Sequence, residues 1–202
     1  MRYYRKFLKE LEAMPNNLEM IKHCTLHLEK LGEGSSRVVF ALTNKLVLKI
    51  ARNNVGVKQN EIEAQVWNFL DYDKPGYKKY FAKVHVELQP FNNLFLVMDR
   101  GETHCQKPHK DMANTMWFIG HGKAKLAKET APRIEVLTSE ALHFVDQTLD
   151  TRILADARPD QLGTFAGGRI KMIDYGLNRY AWNTMYMTDR KAANRLSKVE
   201  NK

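Results

Sequence analysis

Long hydrophobic runs are missing from this 202-residue chain. No stretch approaches the roughly eighteen uncharged apolar residues that a membrane-spanning helix needs. Cysteine is scarce too: Cys24 and Cys105 are the two present, too few to indicate a disulfide framework. The N-terminal MRYYRKFLKELEAM lacks the uninterrupted apolar core of a signal peptide. No internal repeat or low-complexity tract is visible, which excludes a solenoid or a linker-like chain. These absences leave a cytoplasmic protein with no membrane association as the expectation. What is present agrees: 44% apolar and 10% aromatic residues are a globular composition, and the length suits one domain or two small lobes sharing a cleft.

Acidic residues are outnumbered, 23 against 32 basic, for a net charge of +9. Such a surface attracts nucleic acid, anionic membrane, acidic protein or nucleotide phosphates. Much of the excess lies in HGKAKLAK (His121–Lys128) and in the tail RKAANRLSKVENK (Arg190–Lys202). Neither interleaves aromatics with its charges, so a solvated helical face is the reading of each. Nucleic acid is allowed by the tail but required by no motif. His104, Cys105 and His109 fall in GETHCQKPH, whose spacing is not a standard zinc pattern, and a polar loop is expected there. Trp67, Trp117 and Trp182 read as core or interface residues, and His143 as a packed or surface histidine.

Hydrophobic periodicity divides the chain into three parts. Residues 1–24 read as a helical extension, with Phe7, Leu8, Leu11 and Met14 at helical spacing. Residues 25–101 are mostly strand: TLHLEKLG, RVVFAL and LVLKIA, the last two joined by a hairpin at Thr43–Lys45. The helix NEIEAQVWNFL follows, its Ile62, Val66 and Leu70 on one face, and then the strands FAKVHVEL and NLFLVMD around the turn QPFNN. Residues 102–202 turn helical, in HKDMANTMWFIGHGKAKLAK and RIEVLTSEALHFVDQTL, with Thr138 or Ser139 as a cap for the second. DARPDQLGTFAGGRIKMIDYG (Asp156–Gly176) is a hairpin about a Gly-Gly turn, and a short helical tail from about Thr188 ends the chain. The class is α+β, with a cleft between a sheet-rich and a helical lobe.

Several of these pieces carry chemistry. Gly32 and Gly34 in LGEGSSRVVF sit between two strands, where glycine lets a backbone approach a phosphate, although a plain hairpin uses the same residues. Lys49 in LVLKIA lies on the adjoining strand, within reach of phosphates held there. Two aspartates, Asp156 and Asp174, bracket the late hairpin.

Taken in order, a glycine-rich hairpin, a strand lysine, a helix bearing glutamate, a strand ending LVMD and two spaced aspartates resemble the protein-kinase-like superfamily over roughly Leu31–Gly176. That resemblance implies a two-lobed protein-kinase-like fold with a truncated helical C-lobe. It implies ATP and Mg²⁺ as cofactors and transfer of a phosphoryl group to a hydroxyl. Gly32, Gly34 and Val39 would cover the phosphates, and Lys49 would hold the α- and β-phosphates. Glu63 would orient Lys49, with Glu61 as its rival two residues earlier. Met98, Asp99 and Gly101 fall in the interlobe hinge, whose backbone would hold adenine. Asp156 matches the catalytic base, Arg158 the cation on the transferred phosphate, and Gln161 and Asp174 the metal ligands, with Asp174-Tyr175-Gly176 similar to D-F-G.

The chain also departs from the family pattern. Arg37 stands at the third glycine of the loop, adding charge near the phosphates and stiffening it. Leu154-Ala155 replaces His-Arg, which argues against control by a phosphorylated activation loop. Gln161 replaces Asn and is one methylene longer, a strain on the octahedral geometry Mg²⁺ demands. Only 26 residues follow Gly176, which leaves no room for the later helices that dock peptides. The resemblance is therefore to reduced, atypical Ser/Thr kinase-like proteins of bacterial or phage type. The acceptor is expected to be a protein Ser/Thr, with a small molecule as the other candidate. The alternative is a pseudokinase acting through a protein partner, with or without nucleotide. A homodimer would cover surface that trimming exposes.

Overall fold

Pro15 lies where the N-terminal helical segment divides into α1 (Arg2–Glu12) and α2 (Asn17–His27), as expected of a residue that cannot continue a helix. Asn16 caps α2 by accepting from the Glu19 N–H at 3.0 Å. The computed structural model describes residues 2–103, 106–154, 157–179 and 183–184. The expected strand from Thr25 starts later than its alternation suggests. Thr25–His27 still belong to α2, where Met20 and Cys24 are buried, and β1 spans only Lys30–Glu33.

β2 (Arg37–Ala41), β3 (Leu46–Ala51) and β4 (Phe95–Asp99) complete an antiparallel sheet in the order β1-β2-β3-β4. α3 (Asn54–Tyr72) follows β3, capped by Asn53, which accepts from the Gly56 N–H at 3.1 Å. FAKVHVEL does not form the strand its alternation suggested. Its backbone groups are split between the lobes: the His85 N–H donates to Val97 in β4, whereas the Ala82 N–H donates to Met172. The segment makes isolated bridges at Phe81 and Val84, then a 3-10 turn at Val86–Leu88.

Strand alternation sorts the sheet into two faces. Val38, Phe40, Leu48, Ile50, Phe95 and Val97 point outward and bury against Phe7, Leu8, Leu11, Met20 and Cys24 of α1 and α2. Val47, Leu96 and Met98 point inward, into a core that runs through Trp67, Leu70, Phe81 and Tyr175 to Met116, Leu142 and Val145. The N-terminal helices thus cover one face and leave the other to the cleft. Burial holds the Cys24 thiol up at about 12, so it remains a protonated core residue.

The second lobe contains α4 (Lys107–Gly120), α5 (Ala124–Thr130) and α6 (Arg133–Leu149). The single helical run expected over 109–128 breaks at Gly122, whose φ of 72° ends α4 cleanly. α6 starts after Pro132, so Thr138 and Ser139 lie inside the helix rather than at its cap. Both are buried, and their hydroxyls donate to the carbonyls of Ile134 and Glu135 at 2.7 and 2.9 Å. β5 (Leu162–Phe165) and β6 (Arg169–Met172) form the expected hairpin, turning on Gly167 and Gly168 with φ of 75° and 73°. No helix among the described residues is long and apolar enough to cross a membrane.

Candidate active site

The cleft lies between the inner face of the sheet, the 98–103 hinge and the β5–β6 hairpin, and encloses about 880 Å³. That volume suits a nucleotide-sized ligand. Gly32, Gly34, Val39, Lys49, Met98, Asp99, Gly101, Arg158 and Asp174 all line it, and so does Arg37. All of these but Arg37 are candidate site residues named from the sequence. The candidate base, Asp156, lies outside the described residues, as do His104, Cys105, Ala155 and Trp182.

Register explains how two cations share one face. Val39 pairs with Lys49 and Arg37 with Ala51, so Arg37 and Lys49 are diagonal neighbours pointing into the cleft. α3 brings Glu63 beneath both, with its side chain fully buried. The Lys49 ammonium donates to both Glu63 oxygens at 2.9 and 3.0 Å and to the Ile173 carbonyl at 2.6 Å. Glu61, the rival, pairs instead with Lys58 at 2.9 Å. Burial lowers the Lys49 pKa and Glu63 opposes that shift, while the Arg37 charge adds to it.

Arg37 does not stand over the phosphate space as a loop residue, as expected from the sequence. Its side chain is 7% exposed and turns inward. One guanidinium nitrogen donates to Glu63 at 3.1 Å and to Asp174 at 2.5 Å, and the other to Asn60 at 3.3 Å. Partial burial works against the Asp174 carboxylate, but Arg37 and then Lys49 outweigh it and hold its pKa below the ordinary value. The loop ahead of Arg37 is tied down as well. Arg52 donates to the Gly34 carbonyl at 2.8 Å, and Ser36 donates to Gln59 at 2.6 Å. Gly56 permits this approach: a Cβ there would lie 2.1 Å from the Ser36 carbonyl oxygen.

The far wall is organised by residues that no motif announced. Asp146 of α6 accepts from the Thr151 hydroxyl and the Ile153 N–H through one oxygen, at 2.6 and 2.7 Å, and from the Leu154 N–H through the other, at 2.9 Å. It thereby fixes the segment Thr151–Leu154 against α6. Gln161 is buried, and its side-chain carbonyl accepts from the Arg158 N–H at 3.2 Å, closing the turn that follows. Arg158 lies 3.8 Å from Asp160. His109 sits in α4, not in a polar loop, and its Nε2 meets the Thr164 hydroxyl at 3.0 Å. Tyr175 packs edge-on to Phe81 at 5.0 Å and donates from its hydroxyl to the Ala82 carbonyl at 2.8 Å. Its N–H donates to Glu63 at 3.2 Å, which anchors Asp174 next to the buried ion pair.

The hinge is held from both sides. His85 Nε2 and an Asp99 oxygen are 3.0 Å apart, and Glu102 exchanges two backbone hydrogen bonds with Thr164. A Cβ on Gly101 would fall 2.7 Å from the Phe165 ring, so glycine sets the close approach of hinge and hairpin.

The architecture is α+β, with a four-stranded antiparallel sheet and a helical lobe facing one cleft. No family model matches the chain, and neither does any curated protein. Among solved structures, a streptomycin–ATP–APH(2")-IIa ternary complex is similar at a TM-score of 0.40 and 14% identity, over 81% of this chain and 71% of that one. A GDP complex of wild-type aminoglycoside 2'-phosphotransferase-IIIa is similar at a TM-score of 0.36 and 10% identity, over 80% of this chain and 73% of that one. Likeness at this level carries no functional argument.

A family-type Mg²⁺ does not fit the residues as they stand. One Asp174 oxygen is held by Arg37, and the Gln161 carbonyl closes its own turn. No group of three His, Cys, Asp or Glu side chains placed to hold a metal exists among the described residues.

Proposed function

We propose that the cleft binds a nucleoside triphosphate and that the chain is a kinase-like phosphotransferase acting on a hydroxyl. The observation that carries this reading is the buried Lys49–Glu63 pair, aimed into a nucleotide-sized cleft beside Asp174. A lysine buried at a carboxylate is held in one rotamer, its charge placed at the cleft wall before phosphate arrives. The base fits between Val39, Val47 and Met98, against the hinge at Asp99–Gly101. Lys49 binds the α- and β-phosphates, and Arg158 neutralises the transferring phosphoryl group. Asp156 takes the acceptor's proton as the hydroxyl oxygen attacks the γ-phosphorus and the nucleoside diphosphate leaves. Positioning and charge stabilisation supply most of the rate in such a transfer. A protein Ser/Thr is the preferred acceptor, ahead of a small-molecule alcohol.

One observation favours a second reading, a nucleotide-binding interaction module without turnover: Asp174 is already paired, with Arg37. Labelled ATP, incubated with a Ser/Thr-rich protein or a small-molecule alcohol, separates the two. Label transfer that disappears in both Asp156→Ala and Asp174→Ala supports the enzyme. ATP binding with no transfer to either acceptor, or to the chain itself, supports the module.

A further inference from the structure

The four charges beneath the cleft have a consequence for the ligand. Lys49, Glu63 and Asp174 alone would sum to one net negative charge, an arrangement that attracts a cation. Arg37 supplies that cation covalently. Its guanidinium bridges Glu63 and Asp174 at 3.1 and 2.5 Å, so two cations face two carboxylates and the cluster is neutral. Arg158, itself 3.8 Å from Asp160, also lies near enough to Asp174 to favour its carboxylate. Nothing in this geometry draws a divalent ion: the cluster is already neutral, and an ion seated on Asp174 meets the Arg37 guanidinium held on the same carboxylate.

The placement is built in rather than incidental. β2 register turns Arg37 to the inner face, Asn60 accepts from its second nitrogen, and the clamped 34–36 loop fixes the strand from which it projects. A guanidinium held on three acceptors is a poor candidate for displacement by a hydrated metal.

We infer that Arg37 is the resident cation of this cleft, and that its ligand is the uncomplexed nucleotide polyphosphate anion rather than the magnesium complex. This rests on the nucleotide reading above. Arg37 neutralises the two carboxylates from behind, and the phosphates meet Lys49 and Arg158 in place of a metal.

Two measurements test it. Mn²⁺ binding is followed by electron paramagnetic resonance on the nucleotide-free protein and on Arg37→Gln, which keeps hydrogen-bonding capacity and removes the charge. ATP affinity is then measured in EDTA and in excess Mg²⁺ for both. The variant is expected to bind Mn²⁺ roughly tenfold or more tighter than the wild type, and the wild-type ATP affinity to differ by less than about threefold between the two buffers. Equal Mn²⁺ affinity in the two proteins overturns the inference. So does a wild-type ATP affinity that falls about tenfold or more in EDTA. Should Arg37→Gln fail to fold, the wild-type ATP comparison decides alone. Should the wild type bind ATP in neither buffer, the nucleotide reading fails, while the Mn²⁺ comparison still judges Arg37.

Discussion

The two faces of the four-stranded sheet are made by alternate residues of the same strands and do opposite work. On β3, Leu48 and Ile50 point outward into a wholly apolar contact with α1 and α2, while Val47 and Lys49 point inward. The outer face is stabilised by non-directional burial, which tolerates repacking. The inner face contributes two charges, Arg37 and Lys49, which pair with Glu63 of α3 and with Asp174 after β6, and that pairing matters because an unpartnered buried charge is far more costly than a lost methyl group. The outer face is thus a packing surface, whereas the inner face combines core packing with ligand chemistry.

The comparison breaks most visibly at Glu63. Glu63→Ala leaves Lys49 in the interior without its carboxylate and Arg37 with Asp174 as its one carboxylate, and is expected to cost about 3–5 kcal/mol, read from urea unfolding, with loss of ATP binding. Leu48→Ala on the outer face is expected to cost about 2–5 kcal/mol in the same assay while the folded fraction keeps its ATP affinity. An ATP affinity that falls in step with stability there would show that the faces are not separate. Asp146→Ala removes a carboxylate that receives three hydrogen bonds and is expected to cost about 2–3 kcal/mol, loosening the loop more than the sheet. Hydrogen exchange at Ile153 and Leu154 reports that directly.

The smallest effect concerns pH. The bond to Asp99 raises the His85 pKa above its ordinary value of 6.5, with burial opposing and Glu87 assisting. A raised folded pKa means that this pairing stabilises fully below the unfolded value and is lost as pH rises through the folded one. Melting temperature should therefore gain a downward component above about pH 6.5 that His85→Gln removes. An unchanged profile in the variant would place His85 outside the hinge's stability.

Much of this was legible in the chain. Glycines, lysine, glutamate and the D-Y-G triplet fall in a fixed order, and the Gly167-Gly168 turn names its hairpin. Arg37 was visible as a departure but not as a bridge, because its reach to Glu63 and Asp174 depends on register and on the α3 approach that Gly56 allows. Asp146 gave no signal, since one carboxylate on an amphipathic helix looks like any other. FAKVHVEL alternates like a strand, yet its donors are divided between two lobes, and periodicity does not report who the partner is. Thr138 and Ser139 look like caps, but with Pro132 the start of α6 moved upstream and made them interior residues bonded to the preceding turn.

The central claim is that Lys49, held by Glu63, receives nucleotide phosphates in this cleft. ATP titration by calorimetry into the wild type and into Lys49→Met tests it most directly. Glu63 keeps Arg37 and the Tyr175 N–H in that variant, so the fold is retained. The account predicts measurable ATP binding by the wild type and a loss of about tenfold or more in Lys49→Met, the scale of a lost charge-assisted contact. Equal affinity in the two folded proteins would contradict it.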